Sequence, residues 1–274
     1  MKREMNLFGA ALLLLCSSCA DELPEPMHRP RTVVHFAADW SDLASDLSAP
    51  ASFDLHVGDE RYTVEGVRLD ATLYSENDYT AVAATRAAGI TLSGTSAFVA
   101  TQDGFLTPEP GLLAAAVVDL EQLGEVREMQ CALPMKQRTF GLRFSLQIDD
   151  TEIAAASGTL TNVAAGCDLR TGRPLSAGDI RIASAAAVEE EPPYLVADAR
   201  ILGVAEDARQ VLTLEATTAD GEKLLFESDM TDLLAALESR DDKCTLTLEA
   251  DLRESETTGS VIDWTIVEGD KIIL

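Results

Sequence analysis

The sequence predicts an all-β protein of two tandem β-sandwich domains behind an export segment. Three observations carry that reading. Apolar and polar residues alternate with period two along most of the 274 residues, the pattern of strands with one buried face. Turn-forming pairs such as Gly58-Asp59, Asp103-Gly104 and Asp220-Gly221 separate the alternating runs. About six to seven candidate strands precede Ala132-Leu133-Pro134 and about seven follow it, each group suiting one sandwich of roughly 100–140 residues.

The N-terminus sets the compartment. Lys2 and Arg3 precede an apolar run from Leu7 to Cys16, and Cys16-Ser17-Ser18-Cys19 follows. A charged start, a short apolar stretch and small residues before a cut describe a secretory signal peptide, placed at 1–18. The run is about half of the ~20 apolar residues that a spanning helix needs. Ser17-Ser18-Cys19 resembles a bacterial lipobox in a relaxed form, with Cys16 at its third position before the cut, so Cys19 is the expected lipidation site. Ala20-Asp21-Glu22 resembles the acidic export signal of surface-exposed lipoproteins of Bacteroidota. Residues 19–30 carry Pro24, Pro26 and Pro30 and read as a lipidated, extended tether.

The N-terminal sandwich is placed at 31–132. Val34, Phe36, Ala38 and Trp40 share one strand face, with His35 and Asp39 on the other. Phe53, Leu55 and Val57 repeat the pattern, and so do Val67, Leu69, Ala71 and Leu73. The C-terminal sandwich is placed at 133–274. Its clearest strand alternates Phe140, Leu142, Phe144, Leu146 and Ile148, and later ones carry Leu212, Leu214 and Ala216, then Ile262, Trp264 and Ile266. Asp220-Gly221 marks a tight hairpin. One helix is predicted, capped by Ser228 or Asp229, with Met230, Leu233, Leu234 and Leu237 at helical spacing. Glu189-Glu190-Glu191-Pro192-Pro193 reads as a solvated loop. The two halves are expected to fold as separate units.

Charge and chemistry exclude more than they assign. The 21 Lys+Arg against 47 Asp+Glu give −26, a field that repels phosphate backbones, so no nucleic-acid partner is expected. Beyond the lipobox, Cys131, Cys167 and Cys244 remain, an odd number that permits at most one disulfide. Cys131 with Cys167 is the pairing to test first. Cys244 opens the alternating run Leu246, Leu248, Ala250, Leu252 and reads as a core residue. No C-x-x-C pair survives removal of the signal segment, so zinc and thioredoxin-like readings fall away.

His28, His35 and His56 are the only histidines. His35 and His56 sit on polar strand faces and are candidate cross-strand neighbours, with surface histidines the simpler reading than a metal pair. No nucleophile, metal or phosphate-loop motif is present. The C-terminal half holds no histidine, which removes a Ser-His-Asp or Cys-His site there. Asp149-Asp150 and Asp241-Asp242 lie at turn-like positions and read as solvated hairpin ends. Trp40 and Trp264 alternate with apolar neighbours and suit a core better than a sugar platform. The chain is therefore expected to be no enzyme and to use no cofactor or metal.

Several segments together resemble a family. They are the lipobox, then Val33-Val34-His35-Phe36-Ala37-Ala38-Asp39-Trp40, Leu133-Pro134-Met135-Lys136-Gln137-Arg138-Thr139-Phe140 and Ser157-Gly158-Thr159-Leu160-Thr161-Asn162-Val163. Asp220-Gly221, Ser228-Asp229-Met230-Thr231 and Asp263-Trp264 follow in order. The chain is similar, from about Thr32 to Ile266, to the fimbrillin-associated anchor and accessory lipoproteins of Bacteroidota fimbriae. The resemblance implies two sandwiches of transthyretin-like or immunoglobulin-like type and attachment to the outer membrane through the lipid. It also implies partnership with fimbrillin-type subunits by strand addition, and no catalytic residues. The alanine-rich stretches Ala81 to Ala88 and Ala183 to Ala187 depart from it. A surface glycan-binding lipoprotein of an uptake system is the alternative, and a secreted enzyme a third.

Overall fold

The alternating runs become strands that sort into three sheets. The computed structural model describes residues 29–121, 123–124, 127–148, 153–187, 194–235, 237, 245–253 and 260–267. β1 (Arg31–Asp39) is followed by β2 (Ser52–Val57), β3 (Glu60–Glu65), β4 (Arg68–Tyr74) and β5 (Tyr79–Ala84). Four short strands come next: β6 (Ile90–Ser93), β7 (Ser96–Val99), β8 (Thr101–Gln102) and β9 (Phe105–Leu106). Then come β10 (Ala114–Leu120), β11 (Glu128–Pro134), β12 (Lys136–Gln137), β13 (Phe140–Ile148), β14 (Ile153–Asp168) and β15 (Pro174–Ala187). The chain continues through β16 (Tyr194–Ile201), β17 (Val211–Thr218), β18 (Lys223–Asp229), helix α1 (Thr231–Ala235), β19 (Leu246–Arg253) and β20 (Ser260–Val267).

β1 lies between β11, which is parallel to it, and the antiparallel β4 in a three-stranded sheet. A five-stranded sheet runs β12-β10-β5-β2-β3. Val34 and Phe36 from the first sheet and Phe53, Leu55 and Val57 from the second bury a common core with Leu73, Leu133 and Met135. These are the faces that period-two alternation makes apolar. Trp40 packs against this core edge-on to Phe53, with ring centroids 5.9 Å apart.

The remaining strands belong to a twelve-stranded sheet whose main path is β18-β17-β14-β15-β16-β13-β19-β20. β15 folds that path over. It pairs with β14 from Pro174 to Ser184 and with β16 from Ala185 to Ala187, so one strand serves two layers and turns a sandwich corner. Leu142, Phe144, Leu160, Ile180, Leu214 and Leu248 fill the second core. The β17–β18 hairpin turns at Asp220-Gly221 as expected, with Gly221 at φ 86, a region glycine enters freely.

Strand pairing does not follow a cut at 132/133. β11 runs through that position along β1. The segment from β6 to β9 docks on the C-terminal half, β7 on β14 and β9 on β15. The alanine-rich strands explain how the halves join. Every residue from Ala81 to Ala84 is buried. Ala81 and Ala83 belong to the first core, Val82 and Ala84 to the second. On the neighbouring β10, Ala116 faces the first core and Ala115 the second. A strand buried on both faces has no polar side to alternate, and its small side chains let two cores meet through one sheet.

The helix is shorter than its apolar stripe predicts, at five residues. Asp229 is its cap, the Oδ1 atom accepting from the Thr231 N–H at 3.0 Å and hydroxyl at 2.6 Å. Met230, Leu234 and Leu237 are buried and Leu233 packs against the same core, so the stripe reaches its contacts without a long helix.

Candidate functional site

Cys19, the signal segment, the tether up to residue 28 and Cys244 lie outside the described residues, as do Asp149-Asp150, Asp241-Asp242 and Glu189 to Pro193. The Trp264 side chain does too. Cys131 and Cys167 are both free, which corrects the expected pairing. They sit in different cores, Cys131 in the first and Cys167 in the second. Burial pushes the Cys131 thiol up and that of Cys167 up to about 11, so neither is an activated nucleophile.

The two strand histidines are not neighbours, a second correction. His35 lies on β1, with Nδ1 2.8 Å from Asp70 Oδ1 on β4. His56 lies on β2 in the other sheet, opposite Arg61 and Val82. Alternation puts both on polar faces but cannot say which sheet each strand joins. Among the described residues, no three His, Cys, Asp or Glu side chains converge to hold a metal ion.

What the fold offers instead is sheet edge. β18 ends the twelve-stranded path and carries Leu225, 60% exposed, beside the buried Phe226. An edge strand has a row of unpaired N–H and C=O groups that accepts an added strand. β4 ends the three-stranded sheet. Its Tyr74 ring lies under two guanidinium groups, Arg31 at 4.9 Å and Arg29 at 5.8 Å from the ring centroid. That cluster stands where the chain leaves the proline-bearing tether.

A polar cleft of about 730 Å³ lies at the loop before β17, lined by Val204, Asp207, Arg209, Asp229, Asp232 and Ala235 among others. Gln210 is buried behind it and holds the loop, Nε2 donating to the Ala208 carbonyl at 2.7 Å and the Ala205 carbonyl at 3.1 Å. The Ala205 N–H in turn donates to the Asn162 carbonyl at 2.9 Å, where β14 shifts register and Asn162 takes φ 56. Thr231 and Arg209 both donate to the Asp229 carboxylate and hold its pKa down at about 2. This cleft bears no motif in the sequence. It arises because a bulge in β14 captures a loop some forty residues later, the Ala205 N–H and Gln210 Nε2 donating to the Asn162 carbonyl and Asn162 Nδ2 donating to the Arg209 carbonyl at 2.7 Å.

No family model matches the chain, and no curated relative matches it in sequence. Solved structures do match its fold. The fimbrial anchor protein Mfa2 from Porphyromonas gingivalis aligns at 14% identity and TM-score 0.61, covering 86% of this chain and 97% of that one. A candidate adhesin from Bacteroides ovatus aligns at 12% identity and TM-score 0.60, covering 83% and 94%. A candidate polysaccharide-binding protein from Bacteroides thetaiotaomicron aligns at 14% identity and TM-score 0.57, covering 86% and 95%. The chain has the all-β fold shared by these Bacteroidota adhesins and the fimbrial anchor protein.

Proposed function

We propose that this chain is a cell-surface protein of the fimbrial adhesion apparatus, an anchor or accessory subunit held on the outer membrane by a lipid at Cys19. The observation that carries the reading is the fold likeness to a fimbrial anchor protein over nearly all of that protein's length. The lipobox and tether supply the attachment, and three acyl chains at ~0.8 kcal/mol per buried methylene hold a protein that needs no spanning helix. Among the described residues no helix is long and apolar enough to cross a membrane. An end strand of the sheet such as β18 supplies the contact to a fimbrillin-type strand through main-chain hydrogen bonds. The acidic surface keeps the subunit soluble before assembly.

The test has two arms. Cys19→Ala should abolish palmitate labelling and release the protein from membranes, and retention of both overturns the lipid anchor. The full chain should co-purify with a fimbrillin, and deletion should shed fimbrillin into the medium or alter fimbrial length. Deletion that changes only growth on one glycan, with no fimbrillin recovered, favours a glycan-binding role in uptake. The likeness to a candidate polysaccharide-binding protein is what keeps that second reading.

A further inference from the structure

The turn between β14 and β15 walls a cavity of about 190 Å³, lined by Arg138, Phe140, Thr171, Gly172, Arg173 and Leu202 together with Gln137. No acidic residue lines it, in a chain where 47 carboxylates outnumber 21 basic side chains. Gln137 is committed elsewhere, its Oε1 accepting from the Ala44 N–H at 3.0 Å and its Nε2 donating to the Thr139 carbonyl at 2.9 Å. The charged groups of the lining are therefore two guanidinium ions.

Arg138 is fixed in place but incompletely satisfied. Its Nη2 donates to the Leu169 carbonyl at 2.6 Å and the Arg170 carbonyl at 3.1 Å. Its Nη1 occupies the space beside Gly172, where a Cβ would stand 2.6 Å away. Its Nε is buried without an acceptor. Partial burial pulls its pKa below the ordinary arginine value. The hydrogen bonds of Arg138 go to backbone carbonyls, and the charges of Asp42 and Asp168 act on it from nearby. Arg173 enters from the rim, its Nη2 3.0 Å from Glu206 Oε2. A second, longer bond runs from Arg173 Nε to Glu206 Oε1 at 3.4 Å, and with the side chains 71% and 54% exposed solvent screens the pair.

We propose that this cavity binds a small organic carboxylate, held by the guanidinium groups of Arg138 and Arg173 with Phe140 and Leu202 as its apolar wall. The volume is below the roughly 300–1,000 Å³ of drug-sized pockets, so the ligand is one residue in size. A terminal uronic sugar and a single acidic amino-acid unit share that chemistry. Arg138 supplies a preorganised donor that loses little freedom on binding, and the exposed Arg173 supplies the second guanidinium from the rim.

Calorimetric titration of the full chain with D-glucuronate and N-acetylglutamate, each against its neutral counterpart glucose or N-acetylglutamine, tests the proposal. At least one acid should bind about tenfold or more tightly than its counterpart, the expected worth of a charged hydrogen bond. Preference for glucuronate assigns the site to acidic glycans, and preference for N-acetylglutamate assigns it to acidic peptide segments. Arg138→Gln also removes the bonds to the Leu169 and Arg170 carbonyls and can unfold the turn, so the exposed Arg173→Gln carries the test. It should weaken the acid by about tenfold while the cooperative melting transition is kept, lowered by no more than the loss of an exposed ion pair. No response to either acid, equal response to acid and counterpart, or unchanged affinity in Arg173→Gln overturns the site.

Discussion

Cutting the chain after Pro134 should leave a C-terminal half that cannot fold cooperatively, although its alternation alone reads as a complete sandwich. Fragment 135–274 keeps β12 to β20 but loses Val82, Ala84, Ala97, Val99, Leu106, Leu113 and Ala115, all buried in the second core. Val82, Val99, Leu106 and Leu113 are the large ones, and burying such a side chain stabilises by about 1.5–3 kcal/mol. Together they contribute about 6–12 kcal/mol, comparable with the whole net stability of a domain at about 5–15 kcal/mol. Leaving out the ordering cost of the missing strands offsets part of this. It does not cover the surfaces they protected. Phe98 packs over Gly166 and Leu106 over Gly178, so β14 and β15 would be bared to water. Circular dichroism during heating and urea titration provides the assay. Fragment 135–274 should show no sigmoid transition where the full chain shows one, and fragment 76–274, which restores β5 to β11, should regain it. A sharp transition in 135–274 at the full chain's midpoint would refute the shared core.

Two further outcomes follow from local geometry. Asp229 at about 2, with Asp54, Asp119, Asp168 and Glu206 also held below their ordinary values by hydrogen-bonding partners, binds protons less readily folded than unfolded. Their stabilisation is present above the ordinary carboxylate values of 3.8 and 4.5 and is lost as pH falls toward about 2. The melting temperature should drop across that window, less steeply in Asp229→Asn, and equal slopes would rule out Asp229 as a contributor. Gly158→Ala places a Cβ 2.5 Å from both the Thr213 carbonyl oxygen and Leu214 Cδ2, so overpacking should cost about 1–3 kcal/mol. A urea midpoint equal to that of the unmodified chain would contradict the close approach of β14 to β17.

Much of the fold is legible because one physical rule, burial of one face of a pleated strand, writes itself as period two. Val34, Phe36, Phe53, Leu55, Val57, Leu142, Phe144 and Leu146 are read from that rule and found buried. The Asp220-Gly221 turn and the Asp229 cap are legible for a similar reason, since turn and cap chemistry is settled within a few residues. The helix is overextended in the reading because Met230, Leu234 and Leu237 meet the core from a single turn and its flanks, which helical spacing alone does not distinguish from a longer helix.

The cavity and the cleft were not legible, and no motif search would have found them. Arg138 and Arg173 lie on either side of β14, and their convergence depends on how the β14–β15 turn folds back. Gln210 and Asn162 meet only because β14 bulges. Side-chain type says nothing of such meetings.

The sequence by itself determined the strand faces, the tight turns, the strongly acidic surface and the expectation of a lipid at Cys19. These depend on neighbours one to four residues away or on summed composition. Only the tertiary structure decided which sheet each strand joins, that Cys131 and Cys167 lie apart, and that β5 and β10 serve two cores at once. Alternation reports that a strand has a buried face but carries no label for its partner. A run such as Ala81 to Ala84, buried on both faces, carries no alternation at all.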